Sequence, residues 1–293
     1  MIRRMIFNDV SDFDLTHIFE CGQCFRWVPF AGKTEGEDFP DGAVRYIGAA
    51  GCNAAVITQN EKTVIIDAAG GNEAFWSSYF DLDTDYGAIK DELAENEPRI
   101  KAACDYGCGI RILRQDPFET LISFIISQNN NIPRIRKNIE SLCERYGKVI
   151  EGSEELLKLY GAEEESCMHA FPPAEALASA DEEELAAMKL GYRCAYIKAS
   201  AAEYAECGCP GCREELLAFH GIGPKVANCI MLFGLRDTAA FPVDTWVKQI
   251  MNDMYGFEMN DTKGMQAFAQ EKFGSLAGYA QQYLFYYYRD RKI

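Results

Sequence analysis

The sequence predicts an α+β fold, mainly α: a small antiparallel β-sheet domain at the N-terminus, then a bundle of helices. Two features carry that expectation. Up to about residue 70 the chain is made of short stretches rich in β-branched residues, partly alternating and punctuated by glycine: AVRYIGAA at 43–50, NAAVITQ at 53–59 and KTVIID at 62–67. From about Asn72 apolar residues recur at helical spacing, in NEAFWSSYF, PFETLISFIISQ, IPRIRKNIESLCERYG, PAEALAS, DEEELAAM, IKASAAEYAE and REELLAFHG. Strands first and helices afterwards is the order of an α+β chain. We set the sheet domain, with a trailing helix, at 1–92 and the helical domain at 93–293.

The helices mark their own ends. Asp116, before Pro117, and Asp181 are side-chain acceptors placed where the first amides of a helix lack partners. Gly147, Gly191 and Gly221 stand where helices run out. At 293 residues, 48% hydrophobic and 25% charged, the chain can build one large core or two modest ones. No apolar run reaches the roughly 18 residues of a membrane helix. The opening MIRRMIFNDVSDFD lacks the apolar stretch of a secretory signal. A cytoplasmic monomer of prokaryotic type, with no membrane contact, is the expectation.

A net charge of −16 argues at first against a polyanionic partner, because phosphate contact needs a basic surface. The charge is unevenly spread, however. Residues 99–148 hold nine Lys/Arg against five Asp/Glu, and residues 151–184 hold eleven Asp/Glu against one Lys. The acidic block reads as a solvated helical surface. Twelve cysteines are scattered along the chain, and free thiols are expected of them. Cys207, Cys209 and Cys212 cluster in CGCPGC. Three thiols could hold zinc or iron, but a structural site takes four ligands, and Cys194 and His220 are the nearest further candidates. A Gly/Pro loop with incidental thiols is the preferred reading.

The strongest local signal is LLAFHGIGPKVANCIMLFG, a helical hairpin at about 214–233. A helix from Glu214 to His220 runs into Gly221-Ile222-Gly223, and a second starts at about Pro224, a residue suited to the first helical position. Gly221 and Gly223 permit a tight turn and remove side-chain bulk, so that amides at the start of the second helix, around Val226, can meet a phosphate. A structural turn between two helices would look similar. Nineteen residues beyond Lys225, Asp244 follows Phe241-Pro242-Val243 and opens another helix, where an N-cap belongs.

At this combination the sequence resembles the helix-hairpin-helix, Gly/Pro-Asp superfamily of DNA glycosylases, and over nearly its whole length it resembles the 8-oxoguanine DNA glycosylase/AP lyase family within it. The resemblance implies a bifunctional enzyme that flips and excises 8-oxoguanine opposite cytosine from duplex DNA. Lys225 would attack C1′ of the deoxyribose and pass through a Schiff base to a nick by β-elimination, with Asp244 stabilising the developing positive charge. No cofactor is required by such a scheme.

Four further stretches carry the resemblance and its implied roles. CGQCFRW matches a G-Q-x-F-R-W motif, and the carbonyl of Gly22 would accept from the N7–H that guanine lacks. RQDPFETLISFIISQNNNIPRI would place Asn129 in the gap left by the extruded nucleotide and Arg134 on the orphaned cytosine. In KLGYRCAYI, Tyr192 would wedge into the stack and Arg193 would bond the cytosine edge. In GSLAGYAQQYLFYYY, Gln281 would read the Watson–Crick edge and Phe285 would stack on the base, with Cys229 on the opposite face. The main-chain oxygens of Leu217, Phe219 and Ile222 match positions that hold a monovalent cation.

Two departures stand against this. Trp246 occupies a position where animal members have a histidine that supports the stacking phenylalanine, so the pocket wall differs there. The CGCPGC segment has no counterpart. Two alternatives stand beside it: a catalytically silent DNA-binding or scaffold protein that uses only the hairpin, and a glycosylase of another specificity, for alkylated purines or a related oxidised base. Lys225 with Asp244 speaks against the first; Gly22, Cys229, Gln281 and Phe285 together speak against the second.

Overall fold

Five antiparallel strands form the N-terminal sheet in the order β1-β5-β4-β3-β2: β1 (Ile2–Phe7), β2 (Val28–Pro29), β3 (Val44–Ala50), β4 (Asn53–Asn60) and β5 (Thr63–Ala69). The computed structural model describes residues 1–32, 42–162 and 166–291. The predicted strands are β3, β4 and β5, a meander with Ile57 opposite Ile66 and Val56 opposite Asp67. Gly51 turns β3 into β4 at φ +59, a left-handed conformation that favours glycine. The two edge strands were not singled out in the sequence.

The alternation in these strands is only partial because both faces of the sheet are covered. Ala55, Ile57 and Ile66 pack with Phe19, Trp27, Trp76 and Phe80 on one face. Ala54, Val56 and Ala69 pack with Ile150, Leu156, Leu157 and Tyr160 on the other. This second cover comes from the acidic block. The helix Ser153–Leu159 buries Leu156 and Leu157 on the sheet while Glu154 and Glu155 face solvent. Its reading as a purely solvated surface is therefore corrected: it is amphipathic, with one face structural. Glu163, Glu164 and Glu165 lie outside the described residues.

The helical domain is built around Pro117–Ser127, whose side chains from Phe118 through Ile126 are all buried apart from Glu119. Burial of each large apolar side chain contributes roughly 1.5–3 kcal/mol, so this helix is the domain's anchor. Ile132–Tyr146, Arg193–Cys207, the hairpin helices Arg213–Ala218 and Pro224–Phe233, Thr245–Tyr255, and the C-terminal Ala277–Arg291 complete the bundle around the site. Asp116 and Asp181 cap their helices as expected, accepting from Glu119 N and from Glu183 and Glu184 N.

Some boundaries differ from expectation. The first hairpin helix ends at Ala218, not His220, and Gly221 sits three residues beyond it at φ +79. Gly191, at φ +63, likewise follows the helix end at Ala187 by four residues. Of the three glycines expected to end helices, Gly147 alone is the residue that directly caps one. The helix through IKASAAEYAE begins a turn earlier, at Arg193, which puts Tyr192 at its N-cap.

One buried carboxylate joins the two parts of the molecule. Asp81, after the sheet domain's helix Glu73–Tyr79, accepts from Arg114 at 2.8 Å, Arg236 at 3.0 Å and Tyr86 Oη at 3.0 Å. Fully buried charge persists only when paired in this way. Among the described residues no helix is long and apolar enough to cross a membrane.

Candidate active site

Residues from both ends of the chain converge on one cavity of about 390 Å³, within the usual size of small-ligand sites. Its lining includes Gly22 and Phe25 from the sheet domain, Lys225 and Cys229 from the hairpin, Asp244 and Trp246, and Gln281, Gln282, Phe285 and Arg289 from the C-terminal helix.

Gln23 fixes the Gly22 segment. Its Nε2 donates to the carbonyls of Ile18 at 2.9 Å and Arg111 at 2.7 Å, and its Oε1 accepts from Leu113 N at 2.9 Å. Trp27 anchors the other end, donating to Tyr79 Oη at 2.8 Å over a strand residue, Gly48, where a β-carbon would come within 2.5 Å of the indole. Gly22, immediately before Gln23, has φ +81.

Lys225 lies on the first turn of the second hairpin helix, over an aromatic floor. Its Nζ stands 5.4 Å from the ring centroid of Phe124, which stacks on Phe233 and meets Phe25 edge-on. Cys229, one turn on, is buried beside it. Burial pushes the Cys229 thiol up, and the neighbouring Lys225 partly opposes this. Asp244 caps the helix Thr245–Tyr255, its Oδ1 accepting from Val247 N at 2.8 Å. Burial holds its carboxyl above the usual range, against the caps and Lys225. Asn228 ties the two segments together: it accepts from Arg213 Nε at 3.2 Å and donates to the Phe241 carbonyl at 3.5 Å. Lys225 and Asp244 thus share one cavity and each other's electrostatic field.

The C-terminal helix closes the far side. Gly278 lets it approach Pro224–Phe233, since a β-carbon there would fall 2.3 Å from Leu232 Cδ1. One turn later Gln281 and Gln282 are buried, and Phe285 lies beneath the guanidinium of Arg289, 5.4 Å from ring to Cζ. Trp246 lines the wall, so the departure from a histidine leaves an aromatic surface in place.

Beside the cavity, Asn129, Tyr192, Arg193 and Arg134 form a second group. Asn129 has φ +47 and donates to Tyr192 Oη at 3.4 Å. Tyr192 is 51% exposed. Arg193 is buried and turned inward: Nε donates to Gln128 O at 2.9 Å, Nη2 to Asn129 O at 3.0 Å and Nη1 to Leu190 O at 3.2 Å. Arg134 is exposed and donates to Lys189 O at 2.7 Å. Gln128 Nε2 donates to Gly221 O at 2.9 Å and so locks this loop to the hairpin. Gly221 is required by its φ and by Tyr196, whose Cγ would lie 2.4 Å from a β-carbon there, whereas Gly223 faces open space. No side chain caps the helix that starts at Pro224, and Val226 behind it is buried.

The turn leaves main-chain oxygens of the first hairpin helix without intrahelical donors. Those of Leu217, Phe219 and Ile222 lie there; Phe219 O accepts from Ile222 N at 3.3 Å. Among the described residues no group of three His, Cys, Asp or Glu side chains is placed to hold a metal. Sequence reasoning did not pick out Phe124, Gln282 or Arg289. Phe285 at i+3 from Gln282 and i−4 from Arg289 was the available signal, since such residues share a helix face.

Residues 5–121 match the 8-oxoguanine DNA glycosylase N-terminal domain, and residues 122–274 match the HhH-GPD superfamily of base excision DNA repair proteins. Fold and site therefore define a helix-hairpin-helix base-excision repair protein. The crystal structure of a Clostridium acetobutylicum 8-oxoguanine glycosylase/lyase, in complex with double-stranded DNA containing cytosine opposite 8-oxoguanine, is similar with a TM-score of 0.84 and 40% identity, over 100% of this chain and 99% of that one. A probable N-glycosylase/DNA lyase of Methanothermobacter thermautotrophicus is 32% identical over 225 residues, 70% of each chain. The N-glycosylase/DNA lyase of Saccharomyces cerevisiae is 30% identical over 279 residues, 85% of this chain and 70% of that one. The chain belongs to the 8-oxoguanine DNA glycosylase/lyase family, a family of bifunctional base-excision enzymes.

Proposed function

We propose that this enzyme extrudes 8-oxoguanine paired with cytosine from double-stranded DNA, excises it, and nicks the strand through a Schiff base on Lys225. The observation that carries this is the meeting of Lys225, Asp244 and Cys229 in one cavity with Gly22, Gln281 and Phe285.

Lys225 Nζ, unprotonated, forms a bond to C1′ as the bond from C1′ to the base breaks. The base leaves with the electron pair and takes up a proton; the amine's proton passes to solvent. Asp244, half withdrawn from water, stabilises the positive charge that develops on the sugar more strongly than an exposed carboxylate would. Ring opening gives the Schiff base. Loss of a C2′ proton then expels the 3′ phosphate and cuts the strand.

Gly22 and Gln281 read the base, and Phe285 and Cys229 cover its faces. Asn129, Arg134 and Tyr192 meet the opposite strand, with Arg193 behind them on the loop carbonyls. A good base-edge contact is worth about 1–3 kcal/mol of discrimination. Gly221, Gly223 and the amides near Val226 receive the phosphate backbone. A monovalent cation would be held by the oxygens of Leu217, Phe219 and Ile222 and would add positive charge beside those phosphates. The reaction itself draws on side chains alone.

Borohydride trapping on duplexes carrying 8-oxoguanine opposite each normal base tests the proposal. A covalent adduct, lost in Lys225→Gln, and fastest cutting opposite cytosine are expected. Nicking retained by Lys225→Gln would overturn the mechanism, and equal cutting opposite all four bases would overturn the opposite-base assignment.

A further inference from the structure

Among the described residues, three charged side chains line the cavity: Lys225, Asp244 and Arg289. The first two are engaged at the sugar in the proposed mechanism. Arg289 stands one turn beyond Phe285 on the C-terminal helix, its Cζ 5.4 Å from the ring centroids of both Phe285 and Tyr286. Asp290, which does not line the cavity, holds it in place: Nε and Nη2 donate to Asp290 Oδ1 at 3.1 and 3.0 Å. Nη1 donates to none of the described residues and is not enclosed, so it is a charged donor open to solvent. The positive field reaches the Gly22 end of the cavity. Cys21, which precedes Gly22 and also lines the cavity, has its thiol pushed up to about 12 by burial, and the Arg289 guanidinium opposes that shift.

We infer that Arg289 stabilises the negative charge of the departing base. The inference rests on the proposed excision of 8-oxoguanine in this cavity. As Lys225 Nζ bonds to C1′, the C1′–N9 bond breaks and its electron pair goes to the base. The anion spreads that charge over N9, O8 and the pyrimidine ring until water supplies a proton. Asp244, which favours positive charge on the sugar, repels it. In the proposed pose Gly22 faces N7–H, and O8 is carried by the carbon between N7 and N9. The oxygen that shares the charge therefore lies toward the end of the cavity that Arg289 serves. A guanidinium keeps its proton throughout, so its charge is present whenever the amine is free to attack. Aromatic walls that exclude water strengthen the attraction, and a fixed charge needs no reorganisation as the bond breaks.

The test separates base release from everything else the enzyme does. Single-turnover rates, with enzyme in saturating excess, are measured for the parent, Arg289→Met and Arg289→Lys on three duplexes: 8-oxoguanine, 8-oxohypoxanthine and a preformed abasic site. Arg289→Met should slow release of 8-oxoguanine by about 10- to 100-fold, less than loss of a fully enclosed donor because the group is partly wet. The loss should be smaller for 8-oxohypoxanthine, which lacks the electron-donating 2-amino group and so bears the charge better by itself. It should be smaller still for nicking of the abasic site, where no base departs. Arg289→Lys should keep most of the parent's rate. Arg289→Gln carries the same comparison if thermal unfolding shows that the methionine variant does not fold. Equal losses on all three duplexes would make Arg289 a structural residue and overturn the inference. So would weaker duplex binding, with a salt slope lower by about one and an unchanged saturating rate, which would put Arg289 on the phosphate backbone. A parent that releases no 8-oxoguanine would strike the proposed function as well; a parent that does, matched by Arg289→Met, would strike this inference alone.

Discussion

Gly22 and Phe285 adjoin on the cavity wall: a β-carbon built on Gly22 would stand 3.5 Å from Phe285 Cε1. That is an ordinary contact, so alanine fits sterically, but φ +81 makes any side chain strained there. Gly22→Ala should cost about 1–2 kcal/mol of stability. Its methyl group would also occupy the space proposed for the base edge. Release of 8-oxoguanine should fall at least about tenfold, more than nicking of a preformed abasic site does. Equal losses in the two assays would show that Gly22 serves the fold and not the base.

Asp244 gives a pH dependence of defined sign. Burial raises its carboxyl, so the folded chain holds the proton more tightly than the unfolded chain does. Ionisation as pH rises through that gap therefore costs stability. Asp244→Asn keeps the cap oxygen and removes the charge. It should raise Tm at pH 7–8 and lose this advantage as pH falls below the ordinary carboxylate range. Activity should drop by several orders of magnitude at every pH. A variant less stable than the parent at pH 8 would mean that the charge is better paired than the geometry indicates.

The hairpin glycines should behave differently from each other. Gly221 combines φ +79 with a β-carbon position 2.4 Å from Tyr196 Cγ, while Gly223 has neither constraint. Gly221→Ala should cost about 2 kcal/mol or more, and Gly223→Ala under about 0.5 kcal/mol in unfolding assays. Both should weaken duplex binding, Gly223→Ala through added bulk at the helix start alone. Identical unfolding curves for the two variants would contradict the role given to Tyr196.

Arg193 and Asn129 yield a fourth expectation. One guanidinium holds the carbonyls of Gln128, Asn129 and Leu190, and with them the left-handed Asn129. Arg193→Met should cost about 2–3 kcal/mol in urea unfolding and flatten the opposite-base preference. Lysine should not restore it, since a single ammonium cannot span three carbonyls as a planar fork does. Full rescue by Arg193→Lys would point to charge alone.

What the sequence determined by itself was local. The strands at 44–69, the order of the helices, the hairpin, and Asp244 as an N-cap all follow from residue type and period within a few positions of each residue. The chemistry-bearing residues were legible through motifs in the same way. Only the tertiary structure decided that Gly22 and Gln281, 259 positions apart, line one cavity with Lys225. It also turned Arg193 inward, gave the acidic block a structural face, and set Gln282 donating to Gln281. Periodicity and capping are set by near neighbours, whereas these pairings depend on which distant surfaces the two cores bring together, and no short window of sequence records that.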